Sequence, residues 1–327
     1  MKGVWSCEQL TDLFRILLRN DQTLRQLASP FSAVSKVWNA MLHRLRHNSR
    51  IGSRKNIRRH YDLGNEFFEL FLDRTMMYSS AIYEDATTTL EEASEEKLNR
   101  ICRAGDLRPG DHVLEIGTGW GGFAIHAAGK FGCRVTTTTI SDEQYRLATR
   151  RVREAGLQDR VTLLRKDYRD LNGQFDRVVS IEMIEAVGRE YLPTYFRCCD
   201  ERLKPGGRLV QQAIVMPEQR FSRYSNGVDF IQKFIFPGGF LPSVTSMQSA
   251  VATQTNLRLT SLTDYSQDYA RTLADWDERF LNRLQEVRAQ GFDEEFIRMW
   301  HYYLCYCAAG FLERATGLVH ACWTKTP

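Results

Sequence analysis

The residues Val113-Leu114-Glu115-Ile116-Gly117-Thr118-Gly119-Trp120-Gly121-Gly122 have the types and spacing that nucleotide chemistry needs. An apolar run carrying an acid gives way to a glycine-rich turn, then to helix formers at 123–128. This predicts strand, tight loop and helix. Glycines let a backbone approach a ligand closely, and the next helix N-terminus offers unpaired N–H groups. The spacing also fits G-x-G-x-x-G, the dinucleotide pattern. An ordinary tight strand–helix turn is the plain alternative. A dinucleotide fold places an acid on the ribose about 20 residues on, at the end of its second strand. Here that strand, 133–140, ends in no acid, and Ser141-Asp142-Glu143-Gln144 opens a helix instead.

The elements that would position these residues follow in order. A third strand, 160–164, runs into Lys166-Asp167-Tyr168-Arg169-Asp170. A fourth, 175–181, ends at Glu182-Met183-Ile184-Glu185, and a fifth spans 207–212. Strands alternating with helices imply a parallel sheet with right-handed crossovers. Its ligands sit at the carboxyl ends of the strands, so Gly117, Thr139, Asp167, Ile181 and Gln212 should line one edge. The order resembles a class I S-adenosylmethionine-dependent methyltransferase. Between strands five and six, 230–243 is apolar, aromatic and punctuated by Pro and Gly. It reads as an insertion that supplies an apolar pocket over the sheet edge. A sixth strand is expected at 257–265, helices near 270–289 and 293–314, and a last strand at 318–324.

The chain has 327 residues, 43% hydrophobic and 26% charged, enough to bury a sizeable core. No run of 18 or more apolar residues marks a membrane span, and the N-terminus lacks a signal-peptide pattern. The eight cysteines form no Cys-x-x-Cys zinc pattern, and free thiols in a reducing cytoplasm are expected. No metal is expected. The net charge of +4 hides an asymmetry: residues 1–60 carry +9 and the rest −5. A helix is expected over 8–28, packed on the body or on a membrane surface, and a second over 32–47. Residues 44–59 hold Arg44, Arg46, Arg50, Arg54, Lys55, Arg58 and Arg59 without an acid. They read either as a solvated face or as an attractor of anionic headgroups. Nucleic acid is not expected, because no nucleic-acid module surrounds them.

Two aromatic stretches, 60–73 and 77–83, precede the nucleotide core. Together with 113–122, 138–144, 167–171, 175–188, 230–243 and 269–280, they make the chain similar to the cyclopropane fatty acid synthase family, which includes the mycolic acid cyclopropane synthases. The resemblance covers roughly 58–325. It implies a Rossmann-like methyltransferase sheet, mostly parallel with an antiparallel last strand. It divides the chain into a basic helical segment (1–59), a helical lid (60–105) and a methyltransferase domain (106–327) with a lipid-pocket insertion near 217–252.

The activity so implied is methyl transfer from S-adenosylmethionine to a cis double bond of an acyl chain, often in phospholipid, at the cytoplasmic face of a membrane. Position by position, the resemblance implies that Tyr78 and Ser79 contact the cofactor from the lid. Gly117 and Gly119 hold its methionine end, Glu115 is among its contacts, and Thr139 and Gln144 serve the ribose region. Tyr168 lies near the adenine and Ile181 at the end of strand four. Attack by the alkene leaves a carbocation, which aromatic faces stabilise and exclusion of water protects. A proton acceptor must follow. In the family this is a bicarbonate held by a glutamate, a histidine, a tyrosine and backbone N–H groups. Glu185, Tyr269 and the Ser80 N–H match that set, but Gln212 stands where the histidine is usual. Glutamine donates a hydrogen bond but does not titrate. The product is therefore open between a cyclopropane and a methyl or methylene branch. A small-amine N-methyltransferase of the coclaurine type is the alternative on the same fold.

Overall fold

The computed structural model describes residues 3–26 and 63–326. The expected helix over 32–47, the basic segment 44–59 and His60-Tyr61-Asp62 lie outside the described residues. The apolar and β-branched runs pair as one sheet of β1 (His112–Ile116), β2 (Arg134–Thr138), β3 (Val161–Leu164), β4 (Phe175–Ile181), β5 (Leu203–Val215), β6 (Leu257–Asp264) and β7 (Gly317–Lys325). Their order is β3-β2-β1-β4-β5-β7-β6. β1 to β5 are parallel, and β7 is antiparallel to both β5 and β6. β1 pairs with β2 on one side and β4 on the other, so the strand order reverses there and opens a crevice at the carboxyl ends.

The described helices are α1 (Leu10–Arg19), α2 (Asp21–Gln26), α3 (Asn65–Phe68), α4 (Leu90–Ala104), α5 (Gly122–Lys130), α6 (Asp142–Glu154), α7 (Leu192–Arg202), α8 (Glu218–Ser225), α9 (Val244–Gln254), α10 (Ser266–Asn282), α11 (Leu284–Ala289) and α12 (Glu294–Leu312). The single helix expected over 8–28 breaks at Asn20, whose side-chain amide donates to the Ile16 carbonyl and so competes with helix continuation. α1 sets Leu10 and Phe14 on Cys305 and Ala309 of α12. Its Ile16 and Leu17 stay exposed.

Three groups of elements frame the crevice. α4 starts with a capping box between Thr89 and Glu92, then buries Leu98, Ile101 and Cys102 against Val113 and Val179 of the sheet and Phe123 of α5. The 63–83 stretch plugs Phe67, Phe68 and Phe71, each fully buried, among Trp120, Trp276, Phe280 and Trp300. The segment between β5 and β6 holds α8, a π-helical turn at Ile231–Ile235 and α9.

Candidate active site

The glycine turn sits where the reversal of strand order puts it. Gly117 and Gly119 have φ of 102° and 52°, in the left-handed region that glycine enters without a Cβ penalty. The Gly117 and Thr118 N–H groups both donate to the Thr138 carbonyl, at 3.1 and 3.0 Å. Thr118 Oγ1 lies 2.6 Å from Thr137 Oγ1, which in turn donates to Glu115 Oε2 at 2.6 Å. The loop is therefore clamped from behind. Glu115 is buried as the partner of Thr137, and burial raises its carboxyl to about 8. Thr139 donates to Gln144 at 2.8 Å, and both are buried one strand over. Tyr168 rests edge-on against Tyr195, with the Arg169 guanidinium over its ring. A Cβ built on Gly119 would meet no atom within 4 Å, so the cleft beside the turn is open to a ligand. These residues fit S-adenosylmethionine.

At the ends of β4 and β5 the structure gathers a carboxylate that sequence reasoning passed over. Glu182 follows Ile181 directly, in a left-handed conformation with φ of 47°. Its Oε1 accepts from the Ser80 N–H at 2.9 Å and from Gln212 Nε2 at 2.7 Å. Its Oε2 accepts from Tyr269 Oη at 2.6 Å. Ser80, Gln212 and Tyr269 thus meet as the sequence expectation had them, but around Glu182. Glu185 lies one turn on. Its Oε1 accepts from the Ile214 N–H at 2.6 Å, and its Oε2 has no hydrogen-bond partner among the described residues. The reason is local: Ile184-Glu185-Ala186 forms a 3-10 turn that aims residue 185 at the β5 backbone.

Environment separates the two acids. Glu182 is buried, which raises its carboxyl, but three donors and the Lys97 charge pull it back toward ionisation. Glu185 is buried with one donor and a neighbouring carboxylate, and is pushed up to about 8. Burial raises both carboxyls, and Glu182 has the more hydrogen-bond donors to hold a negative charge.

Behind Gln212 stands His320 on β7. Its Nε2 lies 2.8 Å from Gln212 Oε1. Burial lowers this imidazole to about 3, so it is neutral, and because Gln212 Oε1 can only accept, the Nε2–H is the donor. That fixes the Gln212 amide with its NH₂ toward Glu182 and the Ser80 carbonyl. Lys97 of α4 is fully buried and donates to Ser79 Oγ at 2.7 Å; burial lowers its ammonium to about 8, against the pull of Glu182, Asp73 and Glu115.

Aromatic rings line this end of the sheet. Tyr78 packs on Trp276 and Phe236, with its hydroxyl 2.9 Å from that of Tyr303. Tyr269 stacks on Phe311 at 4.5 Å. A second polar cluster, Asp277, His301 and Cys305, joins α10 to α12 and takes no part in this wall; Asp277 holds the imidazole well up, to about 10.

Each residue that sequence reasoning missed left a trace. Lys97 falls on the apolar stripe of α4, with Leu90, Ala93, Leu98 and Ile101. His320 interrupts a buried strand, and Glu182 is the first residue beyond one.

The family described as mycolic acid cyclopropane synthetase matches residues 48–321. The chain is 40% identical over 329 residues to the tuberculostearic acid methyltransferase of Mycobacterium tuberculosis, covering 95% of this chain and 74% of that protein. It is 39% identical over 317 residues to the cyclopropane-fatty-acyl-phospholipid synthase of Escherichia coli, covering 96% and 78%. A solved mycolic acid cyclopropane synthase, complexed with S-adenosylhomocysteine and CTAB, superposes with a TM-score of 0.78 at 27% identity, over 83% of this chain and 98% of that one. A coclaurine N-methyltransferase structure superposes at 0.70 over 96% of this chain and 94% of that one, but at 19% identity it shows the fold alone.

Proposed function

The chain belongs to the mycolic acid cyclopropane synthetase family, and from that premise we propose that it methylates the double bond of an unsaturated acyl chain, in phospholipid, giving a cyclopropane or a methylene-branched chain. The observation that carries this reading is the meeting of one buried carboxylate with a wall of aromatic rings at the strand ends. S-adenosylmethionine, when bound, supplies an electrophilic methyl.

The chain's own residues do the rest. Gly117 and Gly119 admit the methionine end, Thr139 and Gln144 take the ribose region, and Tyr78 and Ser79 close over it from the lid. Fixing the alkene in line with the methyl is an orientation effect, worth up to about 7–11 kcal/mol in favourable cases. Tyr78, Trp276 and Tyr269 offer ring faces and edges to a cation, and the burial of Trp276 and Tyr269 keeps water from capturing it. Within the lid, Lys97 of α4 holds Ser79 in place.

We assign 1–59 to a basic docking segment, 60–105 to the lid, 106–327 to the catalytic domain, and the insertion near 217–252 to the acyl pocket. No helix among the described residues is long and apolar enough to cross a membrane. Exposed Trp5, Ile16, Leu17 and Phe234 favour peripheral docking on the cytoplasmic membrane surface. Phe14 of α1 and Phe230 of the insertion both pack on Tyr302 and Tyr306. Gln at Arg50, Arg54, Lys55 and Arg58 together should weaken co-sedimentation with anionic vesicles and leave cofactor affinity unchanged. Binding that ignores both the substitutions and added salt would reduce that segment to a solvated face.

The activity is tested by incubating the protein with labelled S-adenosylmethionine and vesicles of cis-unsaturated phospholipid. Acyl chains should gain one CH₂ by mass. Methylation of a small amine in place of any acyl chain would overturn the proposal.

A further inference from the structure

We infer that Glu182 is the proton acceptor of this enzyme, a carboxylate built into the chain at the place where a small anion from solution would otherwise have to sit. The inference rests on the acyl-methylation reading and goes further by naming the base.

The geometry is that of an anion cradle already filled. Three donors from three separate elements converge on one carboxylate: the Ser80 N–H from the lid, the Gln212 amide from β5 and the Tyr269 hydroxyl from α10. A protonated carboxyl group could accept from all three only by giving up its best acceptor sites, so the arrangement selects the ionised form. His320 locks the Gln212 amide in the donating direction. The chain also accepts backbone strain to place this side chain. Glu182 has a φ of 47°, a left-handed conformation that is strained for a non-glycine residue. Strain retained beside a ligand cleft is a mark of function.

The chemistry needs this group there. After methyl transfer the substrate holds a positive charge on the carbon next to the newly methylated one. One C–H bond of the new methyl breaks. Its electron pair closes the three-membered ring onto the cationic carbon, and the proton passes to a Glu182 oxygen. For a methylene branch, a hydride first shifts to the cationic carbon, and the C–H pair then forms the double bond. Either way one carboxylate and one cation become two neutral groups. A buried site favours that outcome, because low dielectric penalises separated charge. Glu185, tied to the Ile214 N–H alone, has one donor where Glu182 has three, so its carboxylate is the less supported of the two.

The test uses the full chain and phospholipid vesicles in buffer stripped of bicarbonate. Wild-type turnover should be the same there as with bicarbonate added. Glu182→Gly relaxes the left-handed backbone and empties the cradle. Its turnover should fall on the order of 10²–10⁴-fold, and bicarbonate or formate should restore part of it. Glu182→Gln fills the cradle with an amide, so it should lose as much and regain nothing. Calorimetry should show unchanged cofactor affinity in both variants, which establishes that the site is folded. Wild-type dependence on bicarbonate would overturn the inference. So would near-normal turnover of Glu182→Gln in stripped buffer, or a glycine variant that no small anion restores. A wild type that methylates no acyl chain would instead bring down the functional reading beneath it.

Discussion

Gly119→Asn is expected to weaken S-adenosylmethionine binding at least a hundredfold, about 2.8 kcal/mol, while the chain stays folded. Asparagine is chosen because it tolerates the left-handed conformation that residue 119 adopts at φ of 52°. The fold should stand, since a Cβ at this position meets no protein atom within 4 Å. The added amide therefore projects into the cleft. The loop cannot withdraw to make room, because the Gly117 and Thr118 N–H groups are tied to the Thr138 carbonyl and the Thr118 hydroxyl to Thr137. Calorimetric titration with a parallel melting curve reads both properties. Unchanged affinity in a folded variant would move the cofactor away from this turn.

Glu185→Gln should stabilise the protein, and by more as the pH rises. The Glu185 carboxyl is raised to about 8 in the folded chain, chiefly by burial and then by the Glu182 charge. Unfolded, it titrates near its ordinary value. Between those two values the folded state binds the extra proton, so wild-type stability falls as pH rises through the window, at most about 1.4 kcal/mol per pH unit from this group. Below the ordinary carboxyl value the group is protonated in both states and contributes nothing. Glutamine mimics the neutral acid and carries no such penalty. Denaturant midpoints for wild type and variant should therefore lie close together near pH 4.5 and separate steadily toward pH 8. A constant difference over that range would mean that folding does not raise the Glu185 carboxyl. Turnover supplies an independent check: Glu185→Gln should cost far less than Glu182→Gln.

Much of the fold was legible because its signals are local. The order of strands and helices, the glycine turn and the two aromatic stretches lie in short runs whose periodicity and turn chemistry depend on near neighbours. The family resemblance could therefore be read from ordered runs, and Ser80, Gln212 and Tyr269 could be named together. The break in the first helix was missed because a single side-chain amide, that of Asn20, takes the Ile16 carbonyl against a favourable apolar pattern.

What the sequence by itself determined is thus the mostly parallel sheet with its antiparallel last strand, the glycine turn and the chemical class of the reaction. Only the tertiary structure decided which glutamate the donors hold. Glu182 and Glu185 are three residues apart, and composition and spacing treat them alike. Their difference comes from the left-handed backbone at Glu182, which turns one carboxylate toward Ser80, Gln212 and Tyr269, and from the 3-10 turn that sends the other to the Ile214 N–H. Lys97 and His320 join the site from 85 residues before Glu182 and 138 after it, brought there by α4 and by β7 packing beside β5. Burial then sets their charges, because removing a group from water shifts its titration according to the partners that replace the water, and those partners are known only once the chain has folded.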